Sequence, residues 1–210
     1  MQPLFFTFKV MCLVAFAWKV HPDFPLLISA NRDEFIHRPT RPLHLWKEGF
    51  YAGKDLQGGG TWMGFHPDGK WALLTNYRDF TQKREAKISR GKLITDFLAN
   101  STSPENYLNK VWEKHAEFDG FNLLVSDGDE LFYLSNYGKE PLKIQPGIHG
   151  LSNGLLNDPW PKTVLAKRQL EEVLSAPAPD QLLSILKSEE KYQEELLPKT
   201  GASLEMEIDL

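Results

Sequence analysis

Two almost unbroken apolar runs, residues 11–20 (MCLVAFAWKV) and 25–30 (PLLISA), flank the breaker His21-Pro22-Asp23. A strand with one wet face alternates polar and apolar residues, so runs this continuous predict two strands buried on both faces. The second run ends in four polar residues, Asn31, Arg32, Asp33 and Glu34. The first begins at Cys12, the only cysteine, directly after Met11. If translation starts at Met11, methionine removal leaves Cys12 first in the chain, carrying both a thiol and a free α-amine. Residues 1–10 then read as an upstream extension or a short propeptide, and 11–210 as a single domain.

Composition narrows the function classes. A chain of 210 residues with 41% hydrophobic and 25% charged content suits one soluble domain with a sizeable core. A net charge of −4 gives no basic excess, which argues against nucleic acid as the main partner. A single cysteine excludes an internal disulfide framework and suits the reducing cytoplasm. Lys9 and Lys19 interrupt the apolar opening, so the roughly 18 uncharged residues of a membrane span are absent. The six histidines form no His-x-x-x-His or His-Glu pair, and no metal site or cofactor is expected.

Further along, the two prolines of residues 38–42 predict a loop, and residues 46–53 a short strand. Gly58-Gly59-Gly60 lacks the trailing Gly-Lys-Ser/Thr of a phosphate loop. Its expected role is close backbone approach beside a site. Residues 61–65 and 70–76 read as a hairpin around His66-Pro67-Asp68-Gly69, and 121–126 and 130–135 as another around Asp127-Gly128-Asp129. Residues 77–90 are charged and expected to be exposed. Residues 91–99 and 103–115 read as helices, the second capped by Ser103. Short strands are expected at 142–144 and 148–151. From Asp158, expected to cap, the period changes to that of a helix, and Pro177 and Pro179 separate it from another at 180–186. Strands and helices in this order predict an α+β fold, a sheet packed by helices.

The motifs now resemble a known family. Cys12, Ser29-Ala30-Asn31-Arg32-Asp33-Glu34-Phe35, Gly60-Thr61-Trp62-Met63-Gly64, Leu74-Thr75-Asn76-Tyr77-Arg78, Leu151-Ser152-Asn153 and Asp158-Pro159-Trp160-Pro161-Lys162 look like the NRDE (transport and Golgi organisation 2) family. That family is in turn similar to the amino-terminal-nucleophile hydrolases, above all penicillin V acylases and bile salt hydrolases. The resemblance implies a four-layer αββα sandwich and an amidase-type hydrolase acting on an acyl-amide C–N bond. It implies Cys12 as nucleophile, Arg32 and Asp33 beside it, Asn76 in the oxyanion hole, and Asn153 as the second asparagine. Asn31, Glu34, Trp62 and Arg78 belong to the substrate-binding or supporting set. The alternative is a non-catalytic binding or trafficking protein for haem, a lipid or an acyl group, since members are linked to Golgi organisation, haem trafficking and acyl-lipid metabolism.

Two departures from the acylase pattern stand out. There the arginine and aspartate are three positions apart, whereas Arg32 and Asp33 are adjacent, so Asn31 or Glu34 could fill one role. The acylases' second catalytic arginine would fall beyond Leu210, and the chain reads as C-terminally truncated relative to the family. Residue chemistry alone also allows blander roles. Cys12 reads as a small buried strand residue, Arg32 and Asp33 as a structural ion pair, and the two asparagines as turn formers.

Overall fold

The computed structural model describes residues 12–32, 34, 37–82, 87–187 and 192–209. Its strands form two antiparallel sheets. The smaller contains β1 (Leu13–Trp18), β2 (Leu26–Asn31) and β10 (Gly147–Leu151), with β1 in the middle. The larger runs in chain order through β3 (Thr40–Leu45), β4 (Tyr51–Asp55), β5 (Met63–Phe65), β6 (Trp71–Asn76), β7 (Phe121–Ser126), β8 (Leu131–Ser135) and β9 (Leu142–Lys143). The helices are α1 (Gly91–Leu98), α2 (Pro104–Trp112), α3 (Pro161–Val173), α4 (Pro179–Ser184) and α5 (Leu204–Asp209).

Alternation along β1 explains the layering. Val14, Phe16 and Trp18 point to the larger sheet and pack with Trp71 and Leu73 of β6, Leu124 of β7 and Leu131 and Tyr133 of β8. Ala15 and Ala17 point the other way and meet Ala166 and Leu170 of α3. Their short side chains let the helix lie close to the sheet. The larger sheet repeats the device. Ala72, Leu74, Leu123, Val125, Phe132 and Leu134 face Ile94 and Phe97 of α1 and Leu108 of α2. The result is an α+β fold of four layers, helix, sheet, sheet, helix. Phe16 is fully buried, and a side chain of that size contributes about 2–3 kcal/mol by leaving water.

Several local expectations are corrected. Residues 40–42 belong to β3 rather than to a loop. Strand β3 is an edge strand whose register with β4 shifts between Arg41 and His44, and that irregularity accommodates Pro42. The strand expected over 46–53 starts only at Tyr51, because Trp46 and Phe50 close a turn (Trp46 N–H to Phe50 carbonyl, 2.8 Å) with Gly49 at φ +90. The helix expected to begin at Asp158 starts at Pro161. Asp158 Oδ2 instead accepts the Leu155 N–H at 2.6 Å. Ser103 stands at the cap position of α2 but makes no side-chain capping bond, and the helix ends at Trp112 before a short 3-10 turn, His115–Glu117. Arg78 and Arg90, in the segment expected to be exposed, are half-buried.

The glycine triplet does allow a close approach. A Cβ on Gly60 would lie 2.7 Å from the Cα and carbonyl carbon of Gly91, so the backbone after β4 packs against the first residue of α1. Backbone atoms cannot swing aside as a side-chain tip can. Gly60→Ala is therefore expected to destabilise the fold by about 2 kcal/mol, read as a lower midpoint in urea unfolding.

Candidate functional site

Cys12 lies immediately before β1, the central strand of the smaller sheet. It is 7% exposed and forms part of the wall of an open cleft of about 810 Å³. Strand β1 delivers it there because its buried alternation fixes the strand's direction and depth. Trp62, Met63, Phe65 and Leu74 give the cleft an apolar side. The polar side contains five basic residues, Arg32, Arg38, Arg41, Lys54 and Arg90, against two carboxylates, Glu34 and Asp55, among the described residues.

Four of these charges close into a ring. Arg32 Nη2 lies 2.9 Å from Glu34 Oε2 and 3.2 Å from Asp55 Oδ2. Arg38 Nη1 lies 3.3 Å from Glu34 Oε2, and Arg38 Nη2 lies 2.7 Å from Asp55 Oδ2. Asp55 Oδ1 also accepts the backbone N–H of Gln57 at 3.0 Å and of Gly58 at 2.9 Å, which seats the carboxylate at the glycine-rich turn. Burial pushes the Asp55 carboxyl up, but the hydrogen bonds from Arg38, Gly58 and Gln57 together outweigh it and hold it below its ordinary value. The bond to Asp55 raises Arg38, against the opposing effect of burial.

Two further arginines stand on other elements. Arg90, at the N-terminal cap position of α1, donates to the Gly120 carbonyl at 2.8 Å. Arg78 follows β6 and donates its backbone N–H to the Asn153 carbonyl at 2.8 Å. Burial lowers both guanidinium groups, while the negative charges of Asp119 for Arg90 and Glu207 for Arg78 act the other way.

The sequence-predicted residues divide into three groups. Cys12, Arg32, Glu34, Trp62 and Asn76 share the cleft. Asn31, Asn153 and Arg78 brace it. Asn31 Oδ1 accepts the Leu13 N–H at 2.8 Å, and Asn153, which is buried, donates through Nδ2 to the Asn76 carbonyl at 2.8 Å. Asp33 lies outside the described residues, as does Met11. No group of three or more His, Cys, Asp or Glu able to hold a metal occurs among the described residues. Sequence reasoning missed Arg38, Asp55 and Arg90. Asp55 carried a usable signal, since an aspartate three residues before a glycine announces a side-chain-to-backbone turn. Arg38 was hidden by its prolines, and Arg90 by its charged, seemingly solvated segment.

Comparison with known proteins fits this architecture. The sequence profile of the family described as Transport and Golgi organisation 2 matches residues 11–209. The chain belongs to that family. A cattle transport and Golgi organization protein 2 homolog is 37% identical over 179 residues, covering 78% of this chain and 64% of its own length. The mouse homolog is 35% identical over 202 residues, covering 86% of this chain and 73% of its own. This member of the transport and Golgi organisation 2 family thus spans just under two thirds of the cattle relative's length. Among solved structures, a Caenorhabditis elegans N-acylethanolamine-hydrolyzing acid amidase ortholog superposes with a TM-score of 0.55 at 10% identity, covering 85% of this chain and 86% of that one. The fold is that of the amino-terminal-nucleophile hydrolases. No helix among the described residues is long and apolar enough to cross a membrane.

The ring makes an acid-side prediction. Asp55 sits below its ordinary value of 3.8, so its stabilisation is complete above that pH and fades as the pH falls through the depressed value. Asp55→Asn is expected to cost about 1–3 kcal/mol at neutral pH. The gap between parent and variant should narrow as the pH falls below 3.8, measured by urea titration at successively more acid pH.

Proposed function

We propose that this chain is an amidase-type hydrolase that cleaves the C–N bond of an acyl amide with Cys12 as an amino-terminal nucleophile. One observation carries the reading: the only cysteine stands at the head of the smaller sheet's central strand, in the wall of the cleft. It does so in a fold shared with an amidase.

With residues 1–11 removed, the α-amine of Cys12, with a pKa of about 8, takes the thiol proton. The thiolate attacks the amide carbon, a C–S bond forms, and the carbonyl oxygen takes the charge. The Asn76 side chain and nearby backbone N–H groups donate to that oxygen, with Asn153 holding the Asn76 backbone. The ammonium returns its proton to the leaving nitrogen as the C–N bond breaks. Water then hydrolyses the thioester and restores the thiol. In this scheme Asp33 holds the ammonium and Arg32 orients it or binds a substrate carboxylate. Trp62 and its apolar neighbours receive the acyl group, and the cationic excess opposite them suits an anionic substituent. A reaction that depends on one free thiol fits the cytoplasm.

A second reading is favoured by the ring itself. Arg32 Nη2 is shared between Glu34 and Asp55, which leaves it less charge to offer a thiolate. The cleft would then carry a lipid, acyl group or haem without cleaving it.

Intact mass and N-terminal sequencing of the natively expressed protein, followed by turnover of acyl amides, separate the two. The hydrolase reading expects a chain that begins at Cys12. Cys12→Ala should then lower turnover by at least about a thousandfold. A chain that keeps residues 1–11, or a Cys12→Ala variant that binds its ligand with full function, favours the carrier.

A further inference from the structure

Both polar groups of the peptide joining Cys12 to Leu13 are held by side chains from neighbouring strands. The Leu13 N–H donates to Asn31 Oδ1, at the end of β2. The Cys12 carbonyl accepts the Ser152 hydroxyl at 2.7 Å, one residue beyond the end of β10. Regular pairing of β1 with β10 begins only at Val14 and Leu151. The plane of this peptide, and with it the direction in which the Cys12 side chain leaves the backbone, is set by these two bonds.

Ser152 is itself anchored by a buried series of polar groups from the larger sheet. Its carbonyl accepts the Thr75 hydroxyl at 2.7 Å. Thr75 Oγ1 accepts from Asn122 Nδ2 at 3.1 Å, and the same nitrogen donates to the Gly154 carbonyl at 2.8 Å. Asn122 Oδ1 accepts the Tyr133 hydroxyl at 2.6 Å, and that hydroxyl accepts the Leu156 N–H at 3.1 Å. An amide N–H can only donate, so each proton in the series has a defined place. Tyr133 must give its proton to Asn122, Asn122 must turn its nitrogen to Thr75, and Thr75 must give its proton to Ser152. Ser152, Thr75 and Asn122 are at most 2% exposed and Tyr133 is 7% exposed, so water offers no alternative partners. A buried network with one proton arrangement has one geometry.

We infer that Ser152, anchored through Thr75, Asn122 and Tyr133, is a positioning residue that fixes Cys12 toward the cleft, with Asn31 holding the other side of the same peptide. The inference deepens the hydrolase reading and rests on Cys12 being the reacting group. The network spans the two sheets, so the nucleophile on one is registered against Asn76 on the other.

The test uses the protein beginning at Cys12 and reads the thiol directly, by the pH dependence of iodoacetamide alkylation. The variants are Ser152→Ala, Thr75→Val, which keeps the shape and removes the hydroxyl, and Thr75→Ser, which keeps the hydroxyl. Ser152→Ala and Thr75→Val are expected to move the midpoint of the alkylation profile away from the parent's. On an amide substrate both should lower kcat roughly tenfold with KM little changed. Thr75→Ser should follow the parent. Superimposable alkylation profiles for the parent and a folded Ser152→Ala overturn the inference. So does a Thr75→Ser profile that matches Thr75→Val. If Ser152→Ala fails to fold, the Thr75 pair decides by the same criteria. A profile that moves in Ser152→Ala and Thr75→Val, in a parent that cleaves no amide, defeats the hydrolase reading while leaving the positioning role intact.

Discussion

Burial of β1 on both faces is the constraint to which the other layers answer. Its inward side chains, Val14, Phe16 and Trp18, are large enough to fill the space between two sheets, whose usual separation is about 10 Å. Its outward ones, Ala15 and Ala17, are small enough for a helix to rest on. A strand held this way has little freedom to slide, because a one-residue slip would exchange aromatics with alanines. The residue at its head is thereby placed to within a fraction of a residue spacing, in the wall of the cleft.

The polar groups around that head are arranged by depth. Neutral hydroxyls and amides occupy the interior, where an unpaired charge would be costly, and each is matched to a partner of fixed sense. Formal charges stay nearer the rim, in the ring of Arg32, Glu34, Arg38 and Asp55, where partial hydration lowers the penalty of keeping them. Specification of geometry and presentation of charge are thus carried by different residues.

The layered α+β architecture was legible in the sequence because it rests on periodicity. The doubly buried run of β1, the hairpin around Asp127-Gly128-Asp129 and the helical stripe of α3 all announce themselves locally. Boundaries were less legible where tertiary context wins. Pro42 sits in a strand because an edge with a register shift does not require its missing N–H. Asp158 is drawn from capping into a turn by the Leu155 amide. For the site, Cys12, Arg32, Glu34, Trp62 and Asn76 converge as residue types in motifs suggested. Arg38, Asp55, Arg90 and Ser152 were not singled out, and for Arg90 and Ser152 the reason is that their partners lie far away in the chain. Ser152 and Cys12 are 140 residues apart, and no local pattern encodes such a pairing.

The charge ring also fastens together parts that the core does not. Arg32 and Glu34 follow β2, an edge strand of the smaller sheet, while Asp55 ends β4 in the larger one. The sandwich is therefore joined by contacts of two kinds, hydrophobic in the middle and ionic at the lip. Dissolved salt screens the second to the extent that it is hydrated, and the first carries no charge to screen. The lip is thus the part of the sandwich whose fastening answers to the ionic strength of the surrounding solution as well as to the chain.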